Sequence, residues 1–71
     1  MNMLKQWRKE LNATQKEMAV FIGVPVRTWM NWEKGDRKPP PVALSLIDLL
    51  KQLQIIAPSV FQARLNNAKR G

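Results

Sequence analysis

The stretch from Thr14 to Pro41, TQKEMAVFIGVPVRTWMNWEKGDRKPPP, carries so many start and stop signals that few backbone paths suit it. Thr14 followed by Glu17 has the spacing of a capping box, in which the threonine hydroxyl receives a backbone N–H and the glutamate reaches back to the Thr14 amide. A helix therefore starts there. Met18, Ala19 and Ile22 are spaced to face inward, and the small Ala19 lets a neighbouring helix cross closely. Gly23 supplies the backbone freedom for a sharp turn, Pro25 presets the next helix, and Gly35 can end it in a left-handed conformation. The result is two short helices around a tight turn. Asp36, Arg37 and Lys38 then lead into three prolines as a basic loop.

The flanking segments read as helix too. Leu4, Trp7 and Leu11 share one helical face while Lys5, Arg8 and Lys9 occupy the others, which predicts a first helix over about Asn2 to Leu11. A fourth helix is expected from Pro41, because proline suits a first turn better than a helix interior. Its expected apolar face is Val42, Leu46, Leu49, Leu50 and Leu53. Ile55 and Ile56 are expected to leave that helix before Pro58, and Ser59 to about Asn67 reads as a short fifth helix bearing Val60, Phe61 and Leu65. No alternating strand pattern, internal repeat or low-complexity linker appears. The expected fold class is all-α, with one helical domain over residues 1–66 and a basic flexible tail over 67–71.

With 71 residues the chain lies close to the lower size at which a domain folds unaided, so a partner subunit is expected to help. It has no cysteine and no histidine. Disulfides, thiolate nucleophiles and the two commonest transition-metal ligands are therefore excluded, and no metal or cofactor is expected. Twelve Lys and Arg against five Asp and Glu leave a net charge of +7. Such a field on so small a body suits a polyanion, either nucleic acid or an anionic membrane surface, and serves solubility equally well. The longest apolar runs, such as Met18 to Ile22, are too short to span a bilayer or to resemble a secretory signal.

Chemistry concentrates in the third helix, expected to run to about Lys34. Trp29 reads as core; Trp32 reads either as core with an exposed edge or as a phosphate ligand through its indole N–H. Val26, Arg27, Met30 and Asn31 then point away from the tryptophans, as a surface that meets base edges in a major groove requires. Arg27 offers two parallel donors that match guanine O6 and N7, and Asn31, one turn later, can pair bidentately with adenine. A phosphate contact or a free surface charge is the alternative for Arg27. Val26 fits a thymine methyl, and Met30 either lines the groove or covers the helix surface. The start of the second helix favours a phosphate, with Gln15 as a register clamp or as an ordinary solvated glutamine. Arg37 and Lys38 are placed to grip the DNA backbone, and Thr28, Trp32 and Lys34 join them as candidate phosphate contacts.

Taken together, Arg8, Thr14, Gln15, Ala19, Gly23-Val24, Thr28, Trp32, Glu33, Gly35 and Pro39 resemble the Xre-type helix-turn-helix family, the DNA-binding domains of phage lambda-type repressors and Cro. The match covers roughly the first forty residues at the family's spacing. The resemblance implies a five-helix lambda-repressor-like bundle and a salt bridge between Arg8 and Glu33 near the DNA backbone. It also implies a phosphate contact at Gln15 and base-facing positions at Pro25, Val26, Arg27 and Asn31. Pro25 and Val26 depart from the polar residues often found there, which shifts weight to Arg27 and Asn31. Family members commonly bind inverted repeats in double-stranded DNA as symmetric homodimers, and Ile55, Ile56, Val60, Phe61 and Leu65 are candidates for the dimer contact. Completion of the monomer's own core is the alternative for these five.

The Arg27 to Gly35 segment looks closest to small regulators of phage and plasmid operons, including antitoxins and anti-CRISPR-associated repressors. The implied function is a transcriptional repressor that occupies a promoter operator, acting in the cytoplasm on the nucleoid of a bacterial host. The rival reading is an antitoxin that binds a toxin protein and represses its own operon. Enzymatic chemistry is not expected, because the serines and threonines lack an obvious base and the acidic residues show no paired arrangement. A membrane-surface peptide would carry one exposed apolar stripe opposite its charges, whereas several apolar faces here point to a shared core. RNA binding through the same basic face remains open, although the motif lacks an exposed aromatic stacking platform.

Overall fold

The computed structural model describes residues 2–71, which form α1 (Met3–Glu10), α2 (Gln15–Ile22), α3 (Val26–Lys34), α4 (Pro41–Ile56) and α5 (Pro58–Arg70). No strand occurs among the described residues, and the fold is an all-α bundle. No described helix is long and apolar enough to cross a membrane.

Local chemistry explains most of the boundaries. Asn2 caps α1, its side chain accepting from the Leu4 and Lys5 amides, so the expected first residue of that helix is its cap. The Thr14–Glu17 box is complete: Thr14 Oγ1 accepts from the Glu17 amide at 3.0 Å and Glu17 Oε1 from the Thr14 amide at 2.8 Å. Gly23 ends α2 at φ 92°, where its N–H donates to the Ala19 carbonyl, and Gly35 ends α3 at φ 84°. Both are left-handed positions that disfavour a Cβ. Pro41 opens α4 and Pro58 opens α5 in first-turn positions, where the missing N–H costs no helical hydrogen bond.

The helices meet around Met18, Trp29, Phe61 and Leu65, the largest fully buried side chains. α2 packs against α3 and α5, and α4 packs against α5. Phe21 stands edge-on to Phe61 with ring centroids 5.4 Å apart, and Trp7 lies 6.4 Å from each of them. A second aromatic pair, Trp29 and Trp32 at 6.0 Å, fastens α3 to the interior. Phe21 escaped the sequence reading because it flanks the expected inward stripe of Met18, Ala19 and Ile22. Its burial follows from α5, which covers α2 on that side.

Three expectations need correction. α4 buries Ala43, Ile47 and Leu50, with Leu46 and Leu53 packed at the edge, whereas Val42 and Leu49 are exposed. Apolar residues surround α4, so its own periodicity selects no face; its neighbours do. Ile55 and Ile56 belong to α4, which runs on until Ala57 and Pro58. α5 extends past Asn67 to Arg70, because Ala68 is buried and Lys69 Nζ donates to the Leu11 and Asn12 carbonyls at 3.3 and 3.2 Å. The segment expected as a tail thus caps the end of α1.

Candidate nucleic-acid interface

α3 separates its side chains as its sequence requires. Trp29, Trp32 and Glu33 are buried. On the other side Val26, Arg27, Met30, Asn31 and Lys34 line a shallow open recess. Next to it, a larger groove of about 850 Å³ runs between α3, the loop after it and the start of α4. Arg27, Thr28, Asn31, Arg37 and Lys38 rim this groove, while Val24, Trp32, Val42 and Leu46 supply apolar lining. Arg27 and Asn31 border both recesses. Every base-reading candidate, together with the phosphate candidates Thr28, Trp32, Lys34, Arg37 and Lys38, therefore lies on one continuous surface.

Two candidates sit differently from a simple surface ligand. Trp32 is a core residue, 5% exposed, whose edge lines the groove. Gln15 turns its amide inward, Nε2 donating to Glu33 Oε1 at 3.2 Å. That bond uses one amide hydrogen and holds the side chain at the start of α2.

Glu33 is the hub beneath the surface. Arg8 grips it in a fork, Nε to Oε2 at 2.7 Å and Nη2 to Oε1 at 3.1 Å, while the third guanidinium nitrogen donates to the Ala13 carbonyl at 3.1 Å. The Trp29 indole N–H also donates to Oε2. Burial pushes the Glu33 carboxyl up, but hydrogen bonds from Arg8, Gln15 and Trp29, together with the Arg8 charge, outweigh it and hold the group below its ordinary value. Among the described residues no buried side-chain polar atom lacks a partner, so this interior network is complete.

The proposed dimer positions divide. Phe61 and Leu65 are core, at 2% and 1% exposure, whereas Ile55, Ile56 and Val60 are exposed. Ile55 borders a pocket with Met3 and Trp7, beside α1.

Sequence reasoning overlooked Asn2. Its Nδ2 donates to the Trp32 and Glu33 carbonyls at 2.8 and 2.6 Å, joining the start of α1 to the end of α3. An asparagine ahead of an amphipathic run signals a cap, but nothing local signals a second partner thirty residues away. No group of acidic, cysteine or histidine side chains suited to a metal ion occurs among the described residues.

No protein-family model, curated protein or solved structure matches the chain.

Proposed function

We propose that the protein is a sequence-specific DNA-binding regulator of the Xre helix-turn-helix type, a repressor that occupies an inverted-repeat operator in a bacterial or phage promoter. One observation carries the reading. α3 is fastened from behind by Trp29, Trp32 and the Glu33 network, and its opposite side presents the exposed Arg27 and the half-buried Asn31 beside Arg37 and Lys38. A rigid helix with free donors on one side and cations alongside suits a major groove, where base edges specify and phosphates position. Arg27 reads guanine, Asn31 reads adenine, and Val26 and Met30 meet apolar edges. Lys34, Arg37 and Lys38 hold the backbone.

Binding as a symmetric pair fits a second feature. Along the second half of α4, away from the groove, Leu49, Leu53 and Ile56 are spaced four and three apart, the repeat by which one helix lies along another. Leu49 and Ile56 on this line are exposed, at 64 and 79%. The charges of α4, Asp48 and Lys51, lie off it, so two cationic chains can meet there without opposing like charges. Pairing doubles the +7 of one chain across the operator and makes affinity steeply salt-dependent. The same strip would serve an antitoxin for its toxin; a toxin that co-purifies and competes with self-association decides for that role.

Selection of bound duplexes from a random library tests the proposal, using the native chain and its Arg27→Ala, Asn31→Ala and Lys38→Ala variants. The native chain enriches a palindrome. Arg27→Ala and Asn31→Ala each relax preference at particular bases by about 1–3 kcal/mol, while Lys38→Ala weakens all sequences alike and lowers the salt slope by about 1. Failure of the native chain to enrich any sequence overturns the function, and an unchanged motif in both α3 variants overturns the assignment of readers.

A further inference from the structure

We propose that Asn2 is a positioning residue that sets the orientation of α3 on the body of the protein and thereby the alignment of its reading side chains. The alignment half of this inference rests on the DNA-binding proposal; the orientation half does not.

Asn2 uses its whole side-chain amide. Oδ1 accepts from the Leu4 and Lys5 amides at 2.9 and 3.1 Å, and Nδ2 donates to the Trp32 and Glu33 carbonyls at 2.8 and 2.6 Å. The partners fix which way the amide points, because the reverse orientation sets N–H against N–H and oxygen against oxygen. Both helix ends benefit. The Leu4 and Lys5 amides and the Glu33 carbonyl lack partners within their own helices, the Trp32 carbonyl otherwise receives only the Gly35 cap amide at 3.3 Å, and the positive end of one dipole meets the negative end of the other.

A second fastening lies six residues along α1, where Arg8 holds the Glu33 carboxylate. Six residues of helix span about 9 Å. Trp29 and Trp32 hold α3 by packing and Arg8 holds the Glu33 side chain; Asn2 adds the tie to the α3 backbone itself at its last turn. The α3 backbone is held at Trp32 and Glu33, directly after Asn31 on the reading side. Base recognition requires placement within about 0.5 Å and 10–20°, so a tie on the α3 backbone next to Asn31 bears directly on it.

Asparagine is specifically needed for this double duty. Serine and aspartate cap a helix as well, yet neither offers two N–H donors, and an aspartate would turn a carboxylate toward two carbonyl oxygens. Asn2→Ser and Asn2→Asp therefore keep the cap and remove the link to α3.

The experiment compares the native chain with Asn2→Ser, Asn2→Asp and Asn2→Ala. Hydrogen exchange of the free proteins reads the end of α3, and binding to the duplex selected by the native chain, against a scrambled duplex, reads alignment. Both capped variants are expected to exchange faster at Trp32 to Gly35 with α1 protection unchanged. Their ratio of specific to scrambled affinity falls on the order of tenfold, the size of one misaligned base contact. The salt slope of Asn2→Ser stays native, and the ratio cancels the charge added by Asn2→Asp. Asn2→Ala shows the same losses plus a lower melting temperature.

Native exchange at the end of α3 in both capped variants overturns the inference. A loss that is parallel for the two duplexes, or an unchanged ratio with faster exchange, overturns its alignment half. If the native chain selects no duplex, the DNA-binding proposal fails and takes the alignment half with it, while exchange still decides the orientation of α3.

Discussion

Glu33 gathers more of the interior than any other single residue, since Arg8, Gln15 and Trp29 all donate to its carboxylate. Its folded-state pKa is lowered: burial opposes ionisation, and the hydrogen bonds from Arg8, Gln15 and Trp29 prevail. The sign of the linkage follows. The ionised form contributes stability fully above the unfolded value, about 4.3, and this contribution is lost as pH falls through the lower folded value. Thermal melts of the native chain should therefore lose stability on acidification below about pH 4.3. Glu33→Gln leaves the Arg8 charge without its counter-ion and should cost about 3 kcal/mol at neutral pH, with a flatter acid limb. Equal acid sensitivity in both chains would show that other carboxylates govern that limb.

Among the elements, the turn between α2 and α3 places the reading helix most directly. Gly23, at φ 92°, has open space where a Cβ would stand, so substitution there costs backbone strain and no collision. Gly23→Ala should destabilise by about 1–2 kcal/mol in urea unfolding, and Gly23→Asn by less, because asparagine tolerates the left-handed region. Equal costs would point to a clash that the structure does not contain. Asn12, at φ 53°, already makes that use of asparagine in the turn between α1 and α2. The longest helix behaves differently. α4 is apolar around most of its circumference, so its caps define its length while its neighbours define its buried face.

For the whole molecule, the decisive quantity is whether the exposed line on α4 is covered in solution. Leu49→Glu and Ile56→Glu place charge on that line without opening a cavity, since both side chains stand in the open. Sedimentation equilibrium should show the native chain associating and each variant remaining a monomer, with melting at high dilution changed by less than about 0.5 kcal/mol. Operator affinity should then fall and its salt slope should roughly halve, because half as many phosphates are neutralised per binding event. A monomeric native chain, or variants that associate as the native chain does, would remove this surface from the dimer.

How much of this was legible in advance follows from the range of each force. Helix starts and stops were readable at Thr14, Gly23, Pro25, Gly35 and Pro41, because caps, left-handed turns and proline rings act within a few residues. The outward placement of Val26 and Arg27 followed from periodicity, since two tryptophans on a short helix leave only one side free. Burial of Phe61 and Leu65, exposure of Val42 and Leu49, and the continuation of α5 to Arg70 depended on which helices meet, and no local pattern contains that. The same holds for the ties of Asn2 to α3 and Lys69 to the end of α1. Sequence by itself determined where the chain turns and which side of α3 is free, because those choices are made by neighbours along the backbone. Tertiary structure alone decided the buried face of α4 and the polar links that orient α3, because a carbonyl or an apolar stripe takes whichever partner the packing of distant helices brings to it.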